Sequence, residues 1–187
     1  MNKRKEINAL IKSCQQRDFK AQRALYDLYV DRVYFIVRRY ISDKYFATNV
    51  VQDVFLKIFI HIEKFDINKG SFSTWLNTIA VRIAISHLRK KNINFVYDND
   101  MIEIKSNEVD ILAKLNTDDI LNILASIHKK YRTVFNLFEI DGYNHKEIGV
   151  FLGISESSSR AYLSRAKKIL QKRMEEMEIV QNYGYGR

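Results

Sequence analysis

With 187 residues, 47% of them apolar and 12% aromatic, the chain has material for one or two small cores and too much of it for a disordered protein. No apolar run approaches the ~18 residues of a membrane helix, and the basic start MNKRKEINALIKSCQQRD leads into neither an apolar stretch nor a cleavage site, so no signal peptide is expected. The single cysteine, Cys14, excludes an internal disulfide and a cysteine zinc cluster, and a reducing, cytoplasmic setting is expected.

The net charge of +9 is unevenly spread. Residues 1–91 carry 18 Lys and Arg against 8 Asp and Glu, residues 92–127 carry 2 against 7, and residues 128–187 carry 11 against 7. Two basic blocks around an acidic one point to two modules that meet a polyanion, simple solubility being the alternative.

In chain order, helical periodicity dominates, with no proline and only six glycines. Ile7, Leu10, Ile11 and Cys14 share a face of a first helix over Asn8–Gln16. Asp18 is an N-cap for a second helix, Phe19–Ile41, whose apolar positions include Ala21, Leu25, Leu28, Tyr29, Val33, Ile36 and Val37. Ser42-Asp43 restarts the chain into a third helix reaching about Lys64, with Val50, Val51, Val54, Phe55, Ile58 and Ile62 as its stripe. A loop, Phe65–Gly70, leads to a fourth helix capped by Ser71. Its predicted inner stripe is Phe72, Leu76, Ile79, Ile83 and Leu88, widened by Trp75 and Ala80. Asn77, Thr78, Arg82, Ser86 and Arg89 lie on the other side. Two readings fit this helix: a core element whose terminal cations complement the helix dipole, or one with its polar face turned to nucleic acid.

Asn92–Asn107 loses the period and reads as the start of a linker, with some helix over Glu108–Leu115. A hairpin pairing Asn92–Tyr97 with Met101–Lys105 is the alternative, and an isolated hairpin is marginal. Beyond it, Thr117 caps a helix over Asp118–Ile127. Another follows over Lys129–Ile140 with Tyr131, Val134, Phe135, Leu137 and Phe138, and Gly142 ends it. The segment His145–Leu163 fits a helix-turn-helix. Gly149 is small at the crossing, Ile148 and Leu152 face inward, Gly153 makes the turn, Ile154 plugs it and Ser155 caps the last helix, Glu156 to about Glu178. An ordinary αα-hairpin is the alternative. If that last helix enters a major groove, Ser157, Ser158, Arg160, Ala161 and Ser164 face base edges, while Tyr162, Arg165, Lys167 and Lys168 suit phosphates.

The motifs LIKSCQQRDFKAQRALYDLY, NVVQDVFLKIF, FSTWLNTIAVRIAISHLRK and YRTVFNLFEIDGYNHKEIGVFLGIS followed by SRAKKIL come in an order and spacing that resemble the extracytoplasmic-function sigma factors of bacterial RNA polymerase. The resemblance covers about residues 5–172. It implies an all-α chain of two small helical domains. These are a region-2-like domain over 1–91, an acidic linker over 92–116 and a region-4-like helix-turn-helix domain over 117–180, followed by an unpatterned, disordered tail over 181–187. It implies no enzyme activity, no cofactor and no metal, but binding to core RNA polymerase and promoter DNA. Many family members are also held by an anti-sigma factor, often membrane-anchored.

By the same resemblance, Gln52, Asp53 and Leu56 match polymerase-contacting positions, with Phe55 assigned to the core. Phe65, Asp66, Lys69, Ser71, Phe72, Asn77, Arg82 and Arg89 match the capture of a melted −10 strand, in which a base is flipped into a pocket. Trp75 is assigned to the core and Phe65 to the base. Ser157, Ser158, Arg160, Ala161, Tyr162, Ser164, Arg165 and Lys168 match reading of a −35 duplex. The acidic linker is expected either to enter polymerase channels or to act as a tether. The chain departs from the family's pattern at Thr48-Asn49 (usually acidic), at Ile127-His128 (usually carrying a proline), at Ser157-Ser158 (commonly Gly-Thr) and at Ser159 (usually apolar).

Two other functions compete from the residues alone. A stand-alone helix-turn-helix regulator would need a ligand or receiver domain, for which residues 1–91 show no pattern. An enzyme would need a metal or phosphate site, yet His61, His87, His128 and His145 are not grouped with carboxylates at ligand spacing and no phosphate-cradling glycine loop exists. The histidines are expected at the surface or partly buried.

Overall fold

The computed structural model describes residues 3–90 and 117–183, and the chain divides into two compact units, 1–91 and 92–187. The expected linker and its hairpin alternative lie outside the described residues. Among the described residues every regular element is helical, and no helix is long and apolar enough to cross a membrane.

The first unit is built from α1 (Lys3–Gln15), α2 (Phe19–Tyr40), α3 (Lys44–His61) with a 3₁₀ turn (Ile62–Lys64), and α4 (Phe72–Lys90). Its boundaries follow from local chemistry. The Asp18 carboxylate accepts from the Lys20 and Ala21 amides, and the Asp43 carboxylate from the Phe46 amide at 2.8 Å, which satisfies donors that a helix start leaves open. Between them, the Arg38 guanidinium folds back onto the carbonyls of Ile41 and Ser42 and closes the end of α2. Leu25, Val33 and Val37 of α2, Val50, Val54 and Ile58 of α3, and Leu76 and Ile85 of α4 are wholly buried. Each such side chain contributes about 1.5–3 kcal/mol.

Two expected stripes are shifted. Leu28 is 49% exposed and lies outside the α2 core face. On α4 the buried line is Phe72, Leu76, Ala80, Ala84 and Leu88, with Val81 and Ile85 beside it, whereas Ile79 and Ile83 are only half-buried. The physical reason is that α4 packs on both α2 and α3, and two alanines let it approach closely while the branched isoleucines fit the margin.

The second unit comprises α5 (Thr117–Ala125), α6 (Lys129–Phe135) running into a π-helical turn (Asn136–Ile140), α7 (His145–Leu152) and α8 (Glu156–Tyr183). The last helix continues five residues past its expected end, into the segment read as a tail. Leu124, Ile127, Tyr131 and Ala166 form its buried cluster, with Phe135, Tyr162, Ile169 and Leu170 packed around it. At Ile127-His128, where proline was expected, His128 itself caps α6 and its Nδ1 faces the Lys130 amide.

The α7–α8 turn has the expected parts. Asn144 and Glu147 form a reciprocal capping box at the start of α7. Gly153 adopts φ +70°, a left-handed conformation that side-chain-bearing residues rarely take. Gly149 is needed for a different reason than a helix crossing alone: a Cβ there would come within 2.8 Å of the Ile154 carbonyl oxygen. Gly149→Ala is therefore expected to lower the stability of the second unit by about 1–3 kcal/mol, read as a fall in the denaturation midpoint at unchanged slope.

Candidate nucleic-acid interfaces

In the first unit, the loop between the 3₁₀ turn and α4 is held from outside. Gln15 of α1 donates through Nε2 to the carbonyls of Ile62 and Phe65, each at 3.0 Å. Asp66 accepts from the Asn68 amide at 2.9 Å, and the Ser71 hydroxyl accepts from the Thr74 amide at 3.1 Å and caps α4. Between α1, α2 and this loop lies a cleft of about 480 Å³, lined by Ile7, Asn8, Tyr29, Ile67, Gly70, Ser71, Phe72 and Ser73.

The aromatic residues around the cleft exchange their expected roles. Phe65 and Phe72 are buried, 8% and 5% exposed, and meet edge to face at 5.3 Å. Trp75, expected in the core, stays half-exposed and leans on both rings at 5.4 and 5.7 Å. Phe72 lines the cleft, and Phe65 is not among its lining residues. The Phe65 carbonyl is held by Gln15, and its ring packs on Phe72 and Trp75.

The polar residues are less committed. Lys69, Arg82 and Arg89 are exposed. Asn77 accepts from Arg32 Nε of α2 at 3.1 Å, so its amide is already oriented. Sequence reasoning missed Ile7, Asn8 and Arg32, because nothing local in α1 or α2 marks which residues border a loop some sixty positions away in the case of α1.

On α3 the inward and outward faces separate cleanly. Phe55 is 3% exposed and packs against Tyr26, whereas Gln52 and Asp53 are exposed and Leu56 is 61% exposed. Ile60, 60% exposed, extends the outer apolar row by one turn, and Tyr45, 83% exposed, lies about three turns before Leu56. Asp53 is not free: its carboxylate lies 2.8 Å from His87 Nε2 on α4, and the His87 ring sits edge-on to Phe46.

In the second unit, the start of α8 is closed by Ser155, whose Oγ accepts from the Ser158 amide at 3.0 Å and donates to the Ser158 hydroxyl at 2.8 Å. The Ser157 hydroxyl shares the same oxygen. Two of the expected base-facing serines are thus engaged in the cap. Arg160, exposed, pairs with Glu156 one turn back; such an exposed pair is worth about 0–1 kcal/mol and exchanges partners readily. Ala161, Ser164 and Lys168 are exposed. Arg165 donates to the Tyr131 hydroxyl at 3.1 Å and lies over that ring, and Lys167 pairs with Glu139 at 2.6 Å. Tyr162, expected at the phosphates, is half-buried against Tyr131 at 5.4 Å between ring centres and belongs to the core.

The polar residue at an apolar position, Ser159, is fully buried and lies 2.9 Å from Nδ1 of His145. His145 is more buried than expected of the histidines, at 9% exposure. Burial lowers the imidazole pKa below its ordinary 6.5, Arg160 lowers it further and Glu156 opposes both.

Two family models match the chain: "Sigma-70 region 2" over residues 25–93 and "Sigma-70, region 4" over residues 117–170. The chain is 28% identical to the ECF RNA polymerase sigma factor SigW of Bacillus subtilis over 184 residues, covering 91% of this chain and 98% of that one. It is 26% identical to SigM of the same organism over 150 residues, covering 79% and 91%. Among solved structures it is similar in fold to the sigma factor RpoE of Bartonella quintana, crystallised with the anti-sigma factor NepR. There the TM-score is 0.51 and the identity 19%, over 82% of this chain and 96% of that one.

The lowered pKa of His145 fixes a pH dependence. The unfolded chain binds the proton more tightly than the folded one, so His145 favours folding above about pH 6.5 and this contribution is lost as pH falls below it. Thermal melting of the second unit is expected to lose stability in that window, and His145→Phe to flatten that part of the profile.

Proposed function

The chain belongs to the extracytoplasmic-function sigma factors and directs transcription initiation with RNA polymerase, and from this we propose how its two units divide the work. The observation that carries the proposal is their order in one chain: a helical unit matching region 2 precedes a helix-turn-helix matching region 4.

In this reading, the outer row of α3 docks on core polymerase, with Leu56 as the apolar anchor and Gln52 and Asp53 as polar rim. Exposed apolar side chains ringed by polar ones suit such a contact. The cleft at the start of α4 receives a base unstacked from the melted −10 strand. Its volume exceeds that of one base. Ser73, with Asn8 across from it, supplies polar edges, Ser71 being engaged in the cap, and Tyr29 and Phe72 supply an apolar wall. Unstacking costs a few kcal/mol, and such contacts offset it. Lys69, Arg82 and Arg89 hold the strand through its phosphates. In the second unit, α8 reads the −35 element as duplex. Arg160 is the one long donor among its base-facing residues, and a bidentate arginine–guanine contact discriminates by about 1–3 kcal/mol. Ala161 and Ser164 give van der Waals and hydroxyl contacts. Arg165 and Lys168 bind phosphates and position without specifying.

The family is non-enzymatic, and the chain is proposed to act in the cytoplasm as a switchable subunit. An anti-sigma factor is a further proposed partner, by analogy with the Bartonella protein.

Sequencing transcript 5′ ends after overexpression tests the reading, because a true sigma subunit yields one common pair of spaced elements. Arg160→Ala is expected to relax preference within the upstream element by about tenfold, whereas equal loss on every sequence would assign Arg160 to phosphate only. Ser73→Phe, which fills the cleft, is expected to slow opening of a duplex promoter about tenfold while leaving polymerase binding unchanged. A pre-melted bubble template should recover most of that loss; failure to recover it would remove the base-capture role.

A further inference from the structure

His145 opens α7 with its imidazole stacked on Phe138 of the π-helical turn, 4.4 Å between ring centres and 21° between planes. Its Nδ1 reaches Ser159, fourteen residues later and inside α8. The bond therefore joins three elements: the turn after α6, the first residue of α7 and the helix beyond the turn. Ser159 is the residue immediately before Arg160, and it points inward with no exposure while Arg160 points out.

We propose that the His145–Ser159 hydrogen bond is a positioning device for promoter reading, which fixes the rotation of α8 about its own axis and so the direction in which Arg160, Ala161 and Ser164 meet the duplex. The proposal rests on α8 being the −35 reader.

The reason is geometric. Side chains of a helix lie on a cylinder about 10–12 Å across, so a rotation of about 20° carries a base-facing group roughly 2 Å, beyond the tolerance of a hydrogen bond. An apolar pair at these positions would fill the space and hold the distance between α7 and α8, but it would not fix the angle. A buried hydrogen bond does fix it, because its strength falls steeply off-axis and both polar groups are unsatisfied if it breaks. Other tethers of α8 lie elsewhere along it. Ser155 caps its first turn from within, and Arg165 and Lys167 bind Tyr131 and Glu139 a turn or more further on. The Ser159 bond acts on α8 from α7, at the level of the reading residues.

The bond outlasts a change in the protonation of His145. The charged groups facing the imidazole are Glu156 and Arg160, both from α8. The π-helical turn presents the uncharged Phe138 ring, and Glu139 beside it is paired with Lys167. Glu147 on α7 is engaged in the capping box. Whichever partner donates while the imidazole is neutral, a protonated His145 still donates from Nδ1 to the Ser159 hydroxyl, so the bond persists.

The test uses holoenzyme assembled from the full chain and core polymerase. It compares binding to the −35 duplex that wild-type holoenzyme selects from a random pool with binding to a scrambled duplex, below the melting temperature of every variant. Ser159→Ala is expected to lower the selected-to-scrambled ratio about five- to tenfold with scrambled binding unchanged, and Ser159→Thr, which keeps the hydroxyl, to restore it. The paired change His145→Phe with Ser159→Val, which replaces the bond by an apolar contact, is expected to lower the ratio as Ser159→Ala does, and it serves if Ser159→Ala fails to fold. Variants that keep the wild-type ratio while only their melting temperature drops overturn the device, since the bond would then be merely structural. A wild-type holoenzyme with no preference among −35 duplexes overturns the −35 reading itself, a separate outcome visible before any variant is made.

Discussion

In both units the candidate DNA surface begins where a serine closes a helix N-terminus. A helix start leaves four amides without partners, and in both places a serine hydroxyl meets part of that requirement. Ser71 accepts from Thr74 at the start of α4, and Ser155 from Ser158 at the start of α8. The direction in which each helix leaves its turn, and hence what its first two turns present, depends on these bonds. They also set a limit. The hydroxyls of Ser71, Ser157 and Ser158 are engaged in or beside the caps, and in the proposed reading discrimination therefore rests on residues further along α8, above all Arg160.

What each helix buries determines what it leaves for a partner. On α3, Phe55 points inward and Leu56 outward, neighbours in sequence with opposite roles, and Tyr45 and Ile60 continue the exposed row. On α4 the small residues Ala80 and Ala84 admit two packing neighbours at once, which frees Arg82 and Arg89 on the far side. Asp53 and His87 connect these two helices across their outer edges, so the sides proposed to meet polymerase and the melted strand share a polar contact.

Much of this was legible locally. The caps at Asp18, Asp43, Ser71 and Ser155, the turn glycine Gly153 and the core membership of Phe55 all follow from residue type and spacing, because they depend on neighbours within one or two turns. The family resemblance added the order of the two units. What failed depended on distant partners. Phe65 is buried in a segment whose carbonyl is held by Gln15, fifty residues earlier, a contact that no local pattern reveals. Tyr162 looks like a surface residue on α8 until Tyr131 of α6 is packed against it. The missing proline at Ile127-His128 was noticed, but not that an imidazole could cap the helix instead. Ser159 was visible as a polar residue in an apolar position. Its partner was not, because His145 belongs to another helix and gains meaning only when the turn closes.

The central claim is that one chain supplies both polymerase docking and promoter choice. Transcription reconstituted from purified core polymerase, this chain and a template carrying its mapped promoter tests it most directly. The account predicts that the chain co-elutes with core polymerase and yields a transcript of defined start that disappears when either promoter element is scrambled. A chain that binds the same DNA duplex but neither joins core polymerase nor supports that transcript would contradict it.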